Sequence, residues 1–186
     1  MICFIDAATQ YGVAVGRAGD RPTSWTGRFA SRGASHGAIG FGAIKMLTAV
    51  IEKYHPDEIV IEAPLPTSLV RGKTNTRTTE ILMGLPFTLQ AWAYGLKMYR
   101  VSVARVSDIR HHFIGANPRG DVGKEKVWRK CLDMGWIAAT DEDLSNDRTD
   151  ALAGWSYAEH QIAPRLATPV DDLFVAAARR KRQGRG

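Results

Sequence analysis

The sequence predicts an α/β domain built on a mixed five-stranded sheet, an antiparallel meander plus parallel strands, with helices on both faces. Three observations predict it. Short β-like segments separated by Gly-, Asp- and Pro-containing turns fill the first 30 residues. Beyond them, stretches with apolar residues every three or four positions alternate with short apolar runs. The resulting order, β-β-β-α-β-α-β-α, suits a mixed sheet covered by helices.

Residues 2–6 are an apolar run closed by Asp6. Residues 11–17 and 23–30 complete the meander through short hairpin-type connections. After Ser35, apolar residues Ile39, Ala43, Met46, Leu47, Val50 and Ile51 recur at helical spacing, and His55-Pro56-Asp57 ends that helix. Ile59-Val60-Ile61-Glu62-Ala63 is the kind of continuous run that a central strand covered on both faces shows, and Pro64 stops it. Residues 65–75 read as a loop. A second helix over 76–96 contains Pro86, which removes an intrahelical hydrogen bond and predicts a kink. A fifth strand at 98–104, a short helix at 107–114, a Gly/Pro loop at 115–123 and a helix over 123–135 follow. An acidic loop then leads into a last helix over 146–161. The predicted organisation is one domain over 1–163 and a C-terminal extension over 164–186 whose basic end is expected to be disordered.

Composition narrows the function. The chain has 186 residues, enough for one domain with a self-sufficient core. Its two cysteines, Cys3 and Cys131, are far apart, which excludes a disulfide scaffold and a CxxC metal site and predicts buried thiols of a reducing compartment. No apolar stretch approaches the roughly 20 residues of a membrane span. The N-terminal Met-Ile-Cys-Phe-Ile-Asp lacks a basic region and a cleavage site. The expectation is a cytoplasmic protein with no membrane partner. Net charge is +6, and Arg179, Arg180, Lys181, Arg182 and Arg185 supply five of those positives, leaving 6 − 5 = +1 for the rest. A basic arm on a near-neutral body favours a polyanion such as nucleic acid, or serves only solubility.

Four carboxylates stand out. Asp6 and Glu62 each end an apolar strand, and the right-handed crossover rule lays those strands parallel, with both acids at their C-terminal ends. That edge is the usual ligand side of an open α/β sheet. In the last helix Asp147 and Asp150 are three apart on one face of the first turn, and the small residues Ala151 and Gly154 continue that face. Small residues let a helix approach a sheet closely, so the two pairs of acids can converge. Taken singly, a strand-end acid also suits a salt bridge, and a first-turn acid also suits the helix dipole. Converging carboxylates repel, and hard divalent cations such as Mg²⁺ or Mn²⁺ relieve that repulsion. No His- or Cys-rich cluster with zinc spacing competes, and the adjacent His111 and His112 read as a surface pair. The five tryptophans read as core packing.

Three motifs together resemble the RuvC-like Holliday junction resolvases of the ribonuclease H-like superfamily. Phe4-Ile5-Asp6-Ala7-Ala8-Thr9-Gln10-Tyr11-Gly12 is similar to the family's first strand and turn with its metal-binding aspartate. Ile59-Val60-Ile61-Glu62 is similar to the strand bearing the second carboxylate. Asp147-Arg148-Thr149-Asp150-Ala151-Leu152-Ala153 is similar to the closing helix, where two aspartates three apart precede Ala-Leu-Ala. The resemblance spans residues 1 to about 160. It implies a ribonuclease H-like fold and a homodimer that nicks a four-way DNA junction symmetrically. It implies that Asp6, Glu62, Asp147 and Asp150 are catalytic and bind two Mg²⁺ ions, with Mn²⁺ able to substitute. The chain departs from the pattern at Ala7-Ala8, where the family has Pro-Gly, and at Ala63-Pro64, where it has an aromatic residue.

Basic residues near these motifs are expected to position the DNA backbone: Arg71 and Lys73 after Glu62, Arg77 opening the second helix, and Lys124 and Lys126 opening another. Lys124 matches the family's lysine three residues before a valine, here Val127. A plain solvated loop or surface helix is the competing account of each. Two alternatives in function stay open: a nuclease of the same chemistry acting on other branched DNA, RNA–DNA hybrids or RNA, and an inactive nucleic-acid-binding scaffold. Sugar kinases and actin-like ATPases share a strand-end aspartate, but these 186 residues have no room for their two lobes.

Overall fold

The computed structural model describes residues 1–64, 76–118 and 120–170. Five strands, β1 (Ile2–Asp6), β2 (Gln10–Gly16), β3 (Thr23–Arg28), β4 (Glu58–Glu62) and β5 (Val101–Ala104), form one sheet in the order β3-β2-β1-β4-β5. The meander β1-β2-β3 is antiparallel, and β4 and β5 run parallel to β1. Five helices complete the described chain: α1 (His36–Tyr54), α2 (Thr76–Gly95), α3 (Val106–Ile114), α4 (Asp121–Asp133) and α5 (Asn146–Ile162). The predicted mixed α/β sheet is the observed one.

Strand parity divides the interior in two. Cys3, Ile5, Val13, Val15, Ile59 and Ile61 face one side and pack with α1 and α2 around Leu47, Val50, Leu85 and Leu89. Ile2, Phe4, Ala14, Val60 and Ala104 face the other, against Phe113, Val127, Leu152 and Trp155 of α3, α4 and α5. Both faces are therefore apolar, which is why β1 and β4 read as unbroken hydrophobic runs. Both cysteines are buried free thiols, and burial pushes each well above the ordinary thiol range.

Local chemistry sets the helix ends. Ser35 and Ser145 cap α1 and α5, their hydroxyls accepting from Ala38 N at 3.2 Å and Arg148 N at 3.4 Å. The fifth strand starts at Val101 rather than at residue 98, because the preceding residues cap α2. Lys97 takes φ +61°, and Met98 N donates to Ala93 O at 2.9 Å, closing a Schellman motif. Gly135 does the same for α4, which ends at Asp133, with φ +69° and Trp136 N donating to Cys131 O at 2.9 Å. The second helix runs unbroken through Pro86, which is buried inside it, to Gly95. Of the tryptophans, Trp136 and Trp155 are buried, Trp25 and Trp128 pack on the two cores, and Trp92 is about one-third exposed, at 37%, its Nε1 donating to Thr48 Oγ1. The adjacent histidines are not a surface pair. His111 is exposed, but His112 is half-buried, with Nε2 3.1 Å from Ser156 Oγ.

Helix α5 lies unusually close to the sheet. A Cβ on Gly154 would stand 2.1 Å from the Phe4 ring, and one on Gly16 would stand 2.9 Å from the Trp155 ring. Trp155 Nε1 donates to Ile2 O at 3.1 Å, tying the middle of the helix to the start of β1. At the far end, buried Glu159 accepts from Gly19 N at 2.6 Å and from Thr168 Oγ1 at 3.4 Å, strapping the β2–β3 turn to the segment after α5.

Replacing Gly154 with Ala should cost about 1–3 kcal/mol of stability, because Phe4 is fully buried and has no room to yield. Urea unfolding of the variant beside the native protein measures it.

Candidate functional site

The site is set by strand parity. Asp6 follows Ile2 and Phe4 on the face that meets α5, and Glu62 follows Val60 on the same face. The β1–β4 register pairs Ile5 with Ile61, so the next residues, Asp6 and Glu62, end adjacent parallel strands side by side. In β2, Gly12 pairs with Asp6 across the antiparallel ladder. A Cβ on Gly12 would stand 1.9 Å from the carbonyl oxygen of Asp147 and 3.0 Å from Ala151 Cβ. Glycine at this position lets the first turn of α5 rest on β2 directly beside Asp6. The four predicted carboxylates are thus brought to one edge of the sheet by two strand ends and one helix start.

Their electrostatics report the convergence. Burial raises the Asp6 carboxyl well above the ordinary range, and Glu62, Asp150 and Asp147 push it further up, with Lys124 opposing. Glu62 is pushed up to about 8, first by burial, then by Asp150 and Asp147, against Arg110. Asp150 is also raised by burial, and Asp147 adds to it while Arg110 and Lys124 pull it down. Each of these three groups is raised first by burial, neighbouring like charges add to that, and two cations only partly offset the sum.

The donor set is all carboxylate oxygen, which fits a hard divalent cation and not zinc. Among the described residues, no three His, Cys, Asp or Glu side chains stand close enough to hold an ion as they are placed. Uncompensated carboxylates repel one another, so a cation is what would draw these four inward. The fit lies in their chemistry and shared edge.

The predicted basic residues divide. Lys124, near the start of α4, acts on Asp6 and Asp150 and belongs to the carboxylate site. Lys126 does not. It is exposed and lines a separate groove of about 370 Å³ with His111, Arg129, Lys130 and Val170. Arg77 opens α2 and donates to the backbone carbonyls of Gly33 (3.2 Å) and Ala34, tying the β3–α1 loop. Arg71, Lys73 and the basic tail lie outside the described residues.

Sequence reasoning missed Arg110. It sits in α3, and its Nη1 donates to Pro118 O at 3.2 Å while packing on Gly123, where a Cβ would come 3.0 Å from that nitrogen. Its charge acts on both Glu62 and Asp150. The only sequence signal was a basic residue on a short helix after β5, which nothing distinguishes from a surface arginine.

The aspartates of the loop before α5 belong to a different network. Arg148 Nη1 donates to Asp141 Oδ2 at 2.9 Å and to Asp143 O at 2.6 Å. Asp141 is held below the ordinary carboxylate range by the Ala138 N–H and by Arg148. Asp143 is held below it too, because hydrogen bonds from Ser145 and Thr26 and the Arg148 charge outweigh its burial.

No family model matches the chain, and no curated protein matches its sequence. Solved structures do match its fold. The chain superposes on Thermus thermophilus RuvC with a TM-score of 0.61 at 14% identity, over 90% of this chain and 98% of that one. On T. thermophilus RuvC in complex with a Holliday junction substrate the TM-score is 0.64 at 12% identity, over the same shares of 90% and 98%. On the yeast mitochondrial Holliday junction resolvase Ydc2 it is 0.55 at 13% identity, over 86% of this chain and 79% of that one. The chain therefore has the ribonuclease H-like fold of the RuvC structures, as the sequence motifs led one to expect.

The raised Glu62 carboxyl has a consequence for stability without metal. Its pKa rises from 4.5 in the unfolded chain to about 8 in the folded one, so the folded state holds the proton more tightly. The corresponding stability is fully present below pH 4.5 and is lost as pH climbs through about 8. In EDTA, Glu62→Gln should match the native protein at low pH. At pH 9 it should be the more stable by on the order of 2 kcal/mol, from about 1.4 kcal/mol per pKa unit reduced for partial solvent access. Paired urea titrations at the two pH values read this directly.

Proposed function

We propose that the protein is a metal-dependent, structure-selective DNA endonuclease that resolves four-way junctions by phosphodiester hydrolysis. The observation that carries this reading is the gathering of Asp6, Glu62 and Asp150, each raised by burial, with Asp147 beside them at the strand-end edge of a RuvC-type sheet. The T. thermophilus protein of the same fold has been seen with a Holliday junction substrate.

In this reading Asp6, Glu62, Asp147 and Asp150 hold two Mg²⁺ ions, with Mn²⁺ able to substitute. Ions bound there supply an activated water and neutralise charge on the phosphate and leaving oxygen. The protein's own residues prepare the site. Burial of the carboxylates strengthens their hold on any cation, because little water competes. Arg110 and Lys124 flank them and offer positive charge to a phosphate oxygen. Lys124 lies in the first turn of α4, where free N–H groups add to the attraction for a backbone phosphate. Lys126, with the basic tail, adds salt-dependent, sequence-independent affinity. Such contacts position DNA without reading its sequence.

A homodimer is part of the proposal, since symmetric resolution needs two sites. Met83, Phe87 and Tyr94 fall on one face of α2, and all three are exposed, Phe87 at 74%. That apolar stripe is the surface a second copy would cover. The compartment is the cytoplasm of a bacterium or of a phage-infected cell. No described helix is long and apolar enough to cross a membrane.

One observation favours a second reading. Ala63 and Pro64 follow Glu62 with no aromatic side chain to stack at a junction centre. The same chemistry would then act on other branched DNA, on RNA–DNA hybrids or on RNA.

Three expectations follow for purified protein. A mobile four-way junction should be nicked in Mg²⁺ and left intact in EDTA, while matched linear duplex and RNA–DNA hybrid are spared; faster cutting of the hybrid selects the second reading. Asp6→Asn and Asp150→Asn should each abolish nicking and retain junction binding, and cutting at the native rate by either would refute the assignment. Lys124→Gln should weaken junction binding at every sequence and flatten its salt dependence by a slope of about 1.

A further inference from the structure

Arg148 stands between Asp147 and Asp150 in sequence, yet its side chain turns away from the carboxylate edge. It is well buried, at 13% exposure. Nε donates to Ser24 Oγ on β3 at 3.0 Å, and Nη1 donates to Asp141 Oδ2 at 2.9 Å and to Asp143 O at 2.6 Å. A guanidinium with these partners is engaged and is not placed to meet a substrate phosphate. Its position is also electrostatically unfavourable, since a cation in the first turn of a helix opposes the dipole. Some compensating role keeps it there.

The bonds around it close a circuit. Asp143 Oδ2 accepts from Thr26 Oγ1 on β3 at 2.7 Å, and its Oδ1 accepts from Ser145 N at 3.0 Å. Ser145 in turn caps the amide of Arg148 itself. On β3, Thr26 pairs with Gly12 and Ser24 with Ala14. Gly12 is the residue that lies under the Asp147 carbonyl and opposite Asp6. The path from Asp6 through Gly12, Thr26, Asp143 and Arg148 thus returns to Asp147.

We infer that Arg148 is a positioning residue that clamps the first turn of α5 to β3 and so fixes Asp147 and Asp150 against Asp6 and Glu62 for cation binding. This rests on the metal-binding reading proposed above. The aspartates of α5 come from a helix, whereas Asp6 and Glu62 come from hydrogen-bonded strands. The helix start has no ladder hydrogen bonds to the sheet, and Arg148 holds it on the flank away from β1.

The test is calorimetric titration of the full chain with Mn²⁺, with melting curves in EDTA. Arg148→Met should raise the Mn²⁺ dissociation constant by about 10–100-fold, the usual range when a group that orients a metal ligand is removed. Arg148→Lys should retain part of the affinity, since one amine reaches some of the three acceptors. Leu89→Ala, in the opposite core, should lower the melting temperature and leave Mn²⁺ affinity within about twofold, which separates positioning from general destabilisation. Should Arg148→Met not fold, Asp141→Asn takes the negative charge from one clamp bond and should weaken Mn²⁺ binding in the same direction. Native-like affinity in Arg148→Met, or in Asp141→Asn where that variant decides, overturns the clamp alone. So does an equal loss in Leu89→Ala. Failure of the native protein to bind Mn²⁺ overturns the clamp together with the metal reading.

Discussion

Everything at the candidate site depends on how closely α5 approaches the sheet. Glycines permit it, two of them above all. Gly154 leaves room for the Phe4 ring, and Gly12 lets the Asp147 carbonyl settle on β2. Without those vacancies the helix would stand off by a side chain, and its two aspartates would lie apart from the strand-end acids. Backbone proximity here converts four ordinary acids into one strongly repelling group.

That repulsion is the energetic signature of the site. A sheet apolar on both faces gains stability from burial, and the same burial makes charge at its edge costly. Asp6, Glu62 and Asp150 are all raised, so the fold carries a local strain that protons or cations relieve. Arg110 and Lys124 relieve it only in part. Perturbed carboxylates of this kind cluster at functional sites, at a cost in stability.

A second acidic group sits a few residues away and behaves in the opposite sense. Asp141 and Asp143 are held below the ordinary range by hydrogen bonds and by Arg148. Their charges are satisfied, and their role is mechanical: they brace the loop that delivers α5. Counting acids along residues 141–150 would not separate the two groups, because composition is alike in both. The partners that divide them come from β3 on one side and from β1 and β4 on the other.

Much of this was legible in the residues themselves. Strand runs, helical spacing and the strand ends that carry Asp6 and Glu62 are local properties, set by side-chain period and backbone geometry. The motif order carried the fold. The ends of β5 and α4 were misplaced because capping by Lys97 and Gly135 consumes residues that look strand-like or helical. The basic residues were the least legible. A lone charge carries no periodicity, so whether Arg77 ties a loop, Lys126 lines a groove or Arg110 faces the carboxylates is decided by packing between elements distant in sequence. The chain alone determined which acids could meet; the tertiary structure decided which cations and clamps surround them, because those contacts exist only once α3, α4 and α5 are packed on the sheet.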